Sequence, residues 1–213
     1  MRFHAIHRAR VRDILLGACA FGLLVTTTLA TADGDADRGR VKAYTCTGCH
    51  GIPGYNNAYP NYHVPKIGGQ NYQYLIAALK AYRDGQRQHP TMVAQAGSMS
   101  DGDIEDIAAY FVSLAGTEPK PEYFPDGSPE AGAEKNQLCL ACHGEDGNGI
   151  DPQYPRLAGQ YGDYMVKALQ DYRSGERVNA VMAGFATNLS DKDMADLAAY
   201  YAAKPGLVDL KIK

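Results

Sequence analysis

The chain has 213 residues, is 45% hydrophobic and 21% charged, and carries a formal charge of −3, with fifteen tyrosines and no tryptophan. That length exceeds one minimal helical domain and suits two domains of roughly 90 residues. The acidic balance excludes nucleic acid as a partner, since that demands a basic footprint, and favours steering toward a basic patch on another protein.

Arg2, Arg8, Arg10 and Arg12 precede an apolar run from Ile14 to Ala30, and Ala30-Thr31-Ala32 fits an A-x-A cleavage site. Residues 1–32 are read as an export signal peptide. The run is also close to the ~20 residues of a membrane span, so an uncleaved anchor is the competing reading. Leu16-Gly17-Ala18-Cys19 resembles a lipoprotein signal, but too few apolar residues precede it. Without the segment, 21 basic and 24 acidic side chains become 17 and 23, a formal charge of −6.

A first domain is expected over 33–117. Gly39 lies seven residues before Cys46, in a segment able to form an opening helix. A glycine there lets two helices cross closely or makes a simple turn. Cys46-Thr47-Gly48-Cys49-His50 is then a C-x-x-C-H motif, the signature of covalent haem c attachment. Two thiols about one helical turn apart can add to the two vinyl groups on one porphyrin edge, and the next histidine falls beneath the iron as proximal ligand. A redox disulfide or half a zinc site also uses C-x-x-C. The first does not require the histidine, however, and the second does not require the motif to recur in another complete module.

Leu75, Leu79 and Tyr82 recur at i, i+4 and i+7 and predict a middle helix with an inward face. Ser100-x-x-Asp103 predicts the N-cap of a closing helix with the apolar stripe Ile104, Ile107 and Phe111. Pro119, Pro121, Pro125 and Pro129 then mark residues 118–130 as an extended linker.

The pattern returns over 131–213, which makes the chain a tandem duplication and all-α. Cys139-Leu140-Ala141-Cys142-His143 repeats the motif at an offset of 93, and from Pro65/Pro155 onward the offset is 90. Met165, Leu169 and Tyr172 answer to the middle helix; Met194, Leu197 and Tyr201 answer to the closing one. Two haem c groups are therefore expected, one on Cys46 and Cys49, the other on Cys139 and Cys142, with His50 and His143 on the irons.

The duplication also tests the sixth ligand, because a true ligand should map onto its own residue type. Met99 maps to Leu189, Met165 to Leu75 and Met194 to Ile104, all interchangeable core positions, whereas Met92 maps to Met182. Met92 and Met182 are the expected distal ligands. His63 and His89 have no histidine mate and are read as surface residues. Pro65 and Pro155 are candidates to accept a hydrogen bond from the proximal imidazole, with a turn-shaping role as the alternative. For the propionates, tyrosines, Lys66, Arg156, Arg83 and Arg173 are candidates among which the sequence does not choose. An iron with both axial positions filled passes electrons and does no bond chemistry, and thioether ligation raises its potential.

These motifs, with both Gly-Gln turns and both closing helices, resemble the dihaem cytochromes of the c4 type, built from two class I cytochrome c domains. The resemblance spans essentially the whole chain beyond residue 32. It implies a soluble or membrane-associated periplasmic protein that relays electrons from the quinol-oxidising side of a respiratory chain to a haem-copper terminal oxidase, with the two haems meeting across the domain interface. Residues 52–60 depart from the Gly- and Asp-rich turn still visible at 145–149. A second reading is the haem subunit of a dehydrogenase complex, for example a flavin-dependent sulfide dehydrogenase. A third, a haem peroxidase, lacks acid-base residues in the sequence.

Overall fold

The computed structural model describes residues 34–115 and 121–210; the export-signal reading of residues 1–32 lies outside them. The first copy of the repeat folds as α1 (Ala36–Lys42), α2 (Tyr44–His50), α3 (Tyr72–Arg83), α4 (Pro90–Ala96) and α5 (Asp101–Ser113). The second repeats the order as α6 (Pro129–Lys135), a 3-10 turn (Asn136–Leu138), α7 (Leu140–His143), α8 (Gly162–Ser174), α9 (Ala180–Ala186) and α10 (Asp191–Ala202). Among the described residues, extended backbone pairs only as isolated bridges.

The closing helices start where their capping signals stand. Ser100 accepts from the Asp103 N–H while the Asp103 carboxylate accepts from the Ser100 N–H, and Ser190 and Asp193 do the same. Each helix then buries the stripe read from its sequence: Ile104, Ile107 and Phe111 on α5, Met194, Leu197 and Tyr201 on α10. Leu75 and Leu79 of α3 face the first stripe and Met165 of α8 the second. Burying a side chain the size of Phe111 contributes about 1.5–3 kcal/mol.

The opening helices cross the closing ones at glycine, which settles the choice left by the sequence between a crossing and a turn. A Cβ on Gly39 would stand 1.9 Å from the Asp106 carbonyl oxygen, and one on Gly132 2.1 Å from that of Asp196. Both crossings are pinned by a buried carboxylate. Asp106 accepts from Arg38, Lys42 and the Asp35 N–H, each at 2.8 Å; Asp196 accepts from the Ser128 N–H at 2.9 Å, from Lys135 at 3.2 Å and from Lys192. A buried charge needs such partners to be tolerated.

The proline-rich connection departs from its reading at one end. Pro129 and Glu130 begin α6, because Ser128 caps the helix and proline at its first position gives up an N–H that would have no partner there. Upstream, the Glu122 N–H bonds to the Ala202 carbonyl and its carboxylate holds Lys66 Nζ at 2.6 Å, so this segment ties both modules together. The C-terminal stretch does likewise: Val208 bridges Gly68, and Leu210 enters the core of the first module.

Candidate functional site

The two attachment segments present their side chains to one continuous cavity of about 810 Å³ between the modules, whose lining includes Cys46, His50 and Met92 from one copy and Cys139, His143 and Met182 from the other. Both C-x-x-C pairs sit on or beside a short helix, α2 or α7, which sets the thiols one turn apart. Burial pushes the Cys46 and Cys139 thiols up from their ordinary value.

His50 Nδ1 lies 2.8 Å from the Pro65 carbonyl oxygen and His143 Nδ1 3.2 Å from that of Pro155. A carbonyl can only accept, so the ring proton belongs on Nδ1 and the lone pair on Nε2. Burial also lowers the affinity of both imidazoles for a second proton, against a weaker opposing effect of the proline carbonyls. Each ring is thus a neutral nitrogen donor.

The methionines stand on α4 and α9, short helices with side-chain caps. Asn179 Oδ1 accepts from the Met182 N–H at 3.0 Å, and His89 Nδ1 accepts from the Met92 N–H at 3.3 Å. The other His89 nitrogen reaches Asn57 Oδ1 at 3.1 Å, so both its ring nitrogens are engaged. His63 is held at 2.7 Å from Asp163 and stacks on Tyr161. Both histidines are half-buried and tied into the fold, which differs from the surface reading.

The sequence missed the positively charged lining. Arg87 and Arg177, 9% and 8% exposed, form an antiparallel bridge at the seam. Arg87 donates to the Tyr164 hydroxyl at 2.6 Å and Arg177 to that of Tyr74 at 2.8 Å, and each guanidinium lies 4.5 Å over a tyrosine of its own module, Tyr82 or Tyr172. Neither forms an ion pair among the described residues. Burial alone would push the Tyr74 phenol up, yet these two charges outweigh it and bring it down to about 8. By contrast, Arg83 and Arg173 pair with the exposed carboxylates Asp101 and Asp191. Lys66 belongs to Glu122, and Arg156 donates to Asn71. The signal that would have found the seam arginines was in the repeat: Gly85-x-Arg87 and Gly175-x-Arg177 hold the same register.

Paired thiols, a neutral imidazole, a thioether and uncompensated buried cations form a donor set that fits haem c, whose propionates would supply the countercharge.

A family model described as Cytochrome c matches residues 36–115 and 130–202. The chain is 37% identical over 185 residues to cytochrome c4 of Pseudomonas aeruginosa, spanning 82% of this chain and 90% of that one. It is 30% identical to the thiosulfate dehydrogenase electron acceptor of Stutzerimonas stutzeri, across 75% of this chain and 79% of the other. Among solved structures it resembles reduced recombinant cytochrome c4 from Pseudomonas stutzeri, with a TM-score of 0.66, 34% identity, and 80% and 99% of the two chains covered.

Proposed function

Because the chain belongs to the cytochrome c4 family, electron-transfer proteins with two covalently bound haem c groups, we propose that it is an exported periplasmic relay between a quinol-oxidising complex and a haem-copper terminal oxidase. Each haem supplies a one-electron ferrous/ferric couple when bound. Cys46 and Cys49 anchor the first, with His50 and Met92 on its iron; Cys139 and Cys142 anchor the second, with His143 and Met182. Pro65 and Pro155 fix the proximal rings through their carbonyls. His50 with Met92, and His143 with Met182, would hold the irons so that substrate has no access to either, and the thioethers would favour the ferrous state. Arg87 and Arg177, buried at the seam, would supply positive charge to the propionates.

The observation that carries this reading is the shared cavity: both sets of ligands line one space, so an electron can pass between them without leaving the protein. No helix among the described residues is long and apolar enough to cross a membrane.

The likeness to thiosulfate dehydrogenase electron acceptors favours a second reading, in which a dehydrogenase delivers the electrons. Stopped-flow reduction of the holoprotein by a purified quinol-oxidising complex, followed by oxidation by a haem-copper oxidase, tests the first. Co-purification with a dehydrogenase, and reduction only in its presence, would decide for the second.

A further inference from the structure

The hydrogen bonds that hold each proximal ring do not end at proline. His50 Nδ1–H donates to the Pro65 carbonyl at 2.8 Å, and the N–H of that same peptide unit, which belongs to Lys66, donates to Gln160 Oε1 at 2.9 Å. His143 Nδ1–H donates to the Pro155 carbonyl at 3.2 Å, and the N–H of that unit, from Arg156, donates to Gln70 Oε1 at 2.7 Å. In a trans peptide unit the C=O and N–H point opposite ways. Each unit therefore faces an imidazole of its own module on one side and a glutamine of the other module on the other.

Both amides have a fixed orientation. Gln160 Oε1 also accepts from the Tyr161 N–H at 3.1 Å while its Nε2 donates to the Lys66 carbonyl. Gln70 Oε1 also accepts from the Asn71 N–H at 2.8 Å while its Nε2 donates to the Arg156 carbonyl. Two N–H groups meeting one atom and a carbonyl meeting the other leave a single assignment of oxygen and nitrogen. Lys66, Gln70 and Gln160 are all buried, so water does not stand in for these partners.

An acceptor on a peptide N–H polarises the unit and makes its carbonyl a better acceptor in turn, because hydrogen bonds in a chain strengthen one another. A better acceptor on the imidazole Nδ1–H makes Nε2 a stronger donor to a metal. If the glutamines only fastened the seam, any buried N–H would serve them. Instead each takes the one peptide unit of the opposite module that already carries the proximal ring.

We infer that Gln160 is a positioning residue for His50 and Gln70 for His143, so that each module sets the donor strength of the other's proximal ligand. The assignment rests on the proposed reading of His50 and His143 as iron ligands. A stronger imidazole donor favours ferric iron, so loss of either glutamine favours the ferrous form of the haem across the seam and not of the haem in its own module.

The test is NMR of reduced holoprotein carrying isotope-labelled histidine, joined to a redox titration in which the methyl signals of the axial methionines tell the two haems apart. Gln160→Leu should move the ring N–H signal of His50, speed its exchange with solvent, and favour the ferrous form of the first haem by about threefold. His143 and the second haem should stay as they were, and Gln70→Leu should give the mirror image. Gln160→Glu keeps an oxygen for the Lys66 N–H, so it should leave the His50 signal in place or move it the opposite way, and it carries the test if leucine is not tolerated. Equal shifts at both haems, a shift confined to the substituted module, or no shift at either overturns the inference. A parent that lacks the N–H signals of two ligated rings sinks the reading of the ligands instead.

Discussion

Gln160 satisfies both backbone polar groups of Lys66 in the opposite module, accepting from its N–H and donating to its carbonyl, each at 2.9 Å. Gln70 returns the same pair of bonds to Arg156 at 2.7 and 3.0 Å. Both glutamines are buried, and each oxygen also accepts from the next residue's N–H, so removing the Gln160 amide deprives the Lys66 and Tyr161 N–H groups and the Lys66 carbonyl of this partner. Gln160→Leu should cost about 1–3 kcal/mol in denaturant unfolding. An unchanged midpoint would mean that the seam is held elsewhere.

The caps beneath the methionines differ in chemistry and in expected cost. Asn179→Ala removes an ordinary N-cap and should destabilise by about 1 kcal/mol. His89→Ala removes a cap and also the tie to Asn57, so it should cost more and should shift the spectrum of the first haem at lower temperature than that of the second. Thermal melts followed by absorbance would check both.

Gly132→Ala forces a methyl group against the Asp196 carbonyl at the crossing of α6 and α10. Strain and backbone displacement should cost about 1–3 kcal/mol or more. Gly184, in α9, has nothing within 4 Å of an added Cβ, so Gly184→Ala should be neutral or stabilising by up to about 1 kcal/mol. Calorimetry on the two variants separates steric exclusion from loss of glycine as such.

Acid should unfold the crossings first. Lys192, the Ser128 N–H and Lys135 outweigh the cost of burial and hold the Asp196 carboxyl down at about 2. Asp106 is held lower still, by Arg38 first and then by Lys42 and the Asp35 N–H, against the cost of burial. A carboxyl depressed in the folded state stabilises it while ionised, so this contribution is complete above the ordinary carboxylate range and is lost as pH falls from about 4 through about 2. Asp196→Asn should be less stable than the parent at neutral pH, and the gap should close across that window. A gap that persists at pH 2 would assign the effect to packing instead.

Much of the architecture was legible because the chain states it twice. Periodicity placed the buried stripes of α3, α5, α8 and α10, and the repeat register brought Met92 and Met182 forward as a pair. What the register could not show was contact between the copies: the two Gly-Gln turns read as matched, yet nothing in their spacing says that each glutamine reaches across to the other module. Identical mates also pass over His89, because there a histidine takes the capping place that Asn179 holds in the other copy, each offering one acceptor atom to a methionine N–H. Arg87 and Arg177 were missed for a different reason: their burial depends on the seam that the fold creates, and arginine is usually solvent-exposed.

A redox titration of the purified secreted protein, following the red charge-transfer band of methionine-ligated ferric haem, reaches the central claim most directly. Two high-potential haems should titrate, both contributing to the band, and Met92→Leu or Met182→Leu should each remove about half of it. A single titrating haem, or a band indifferent to either substitution, would contradict the account of two irons each held between an imidazole and a thioether.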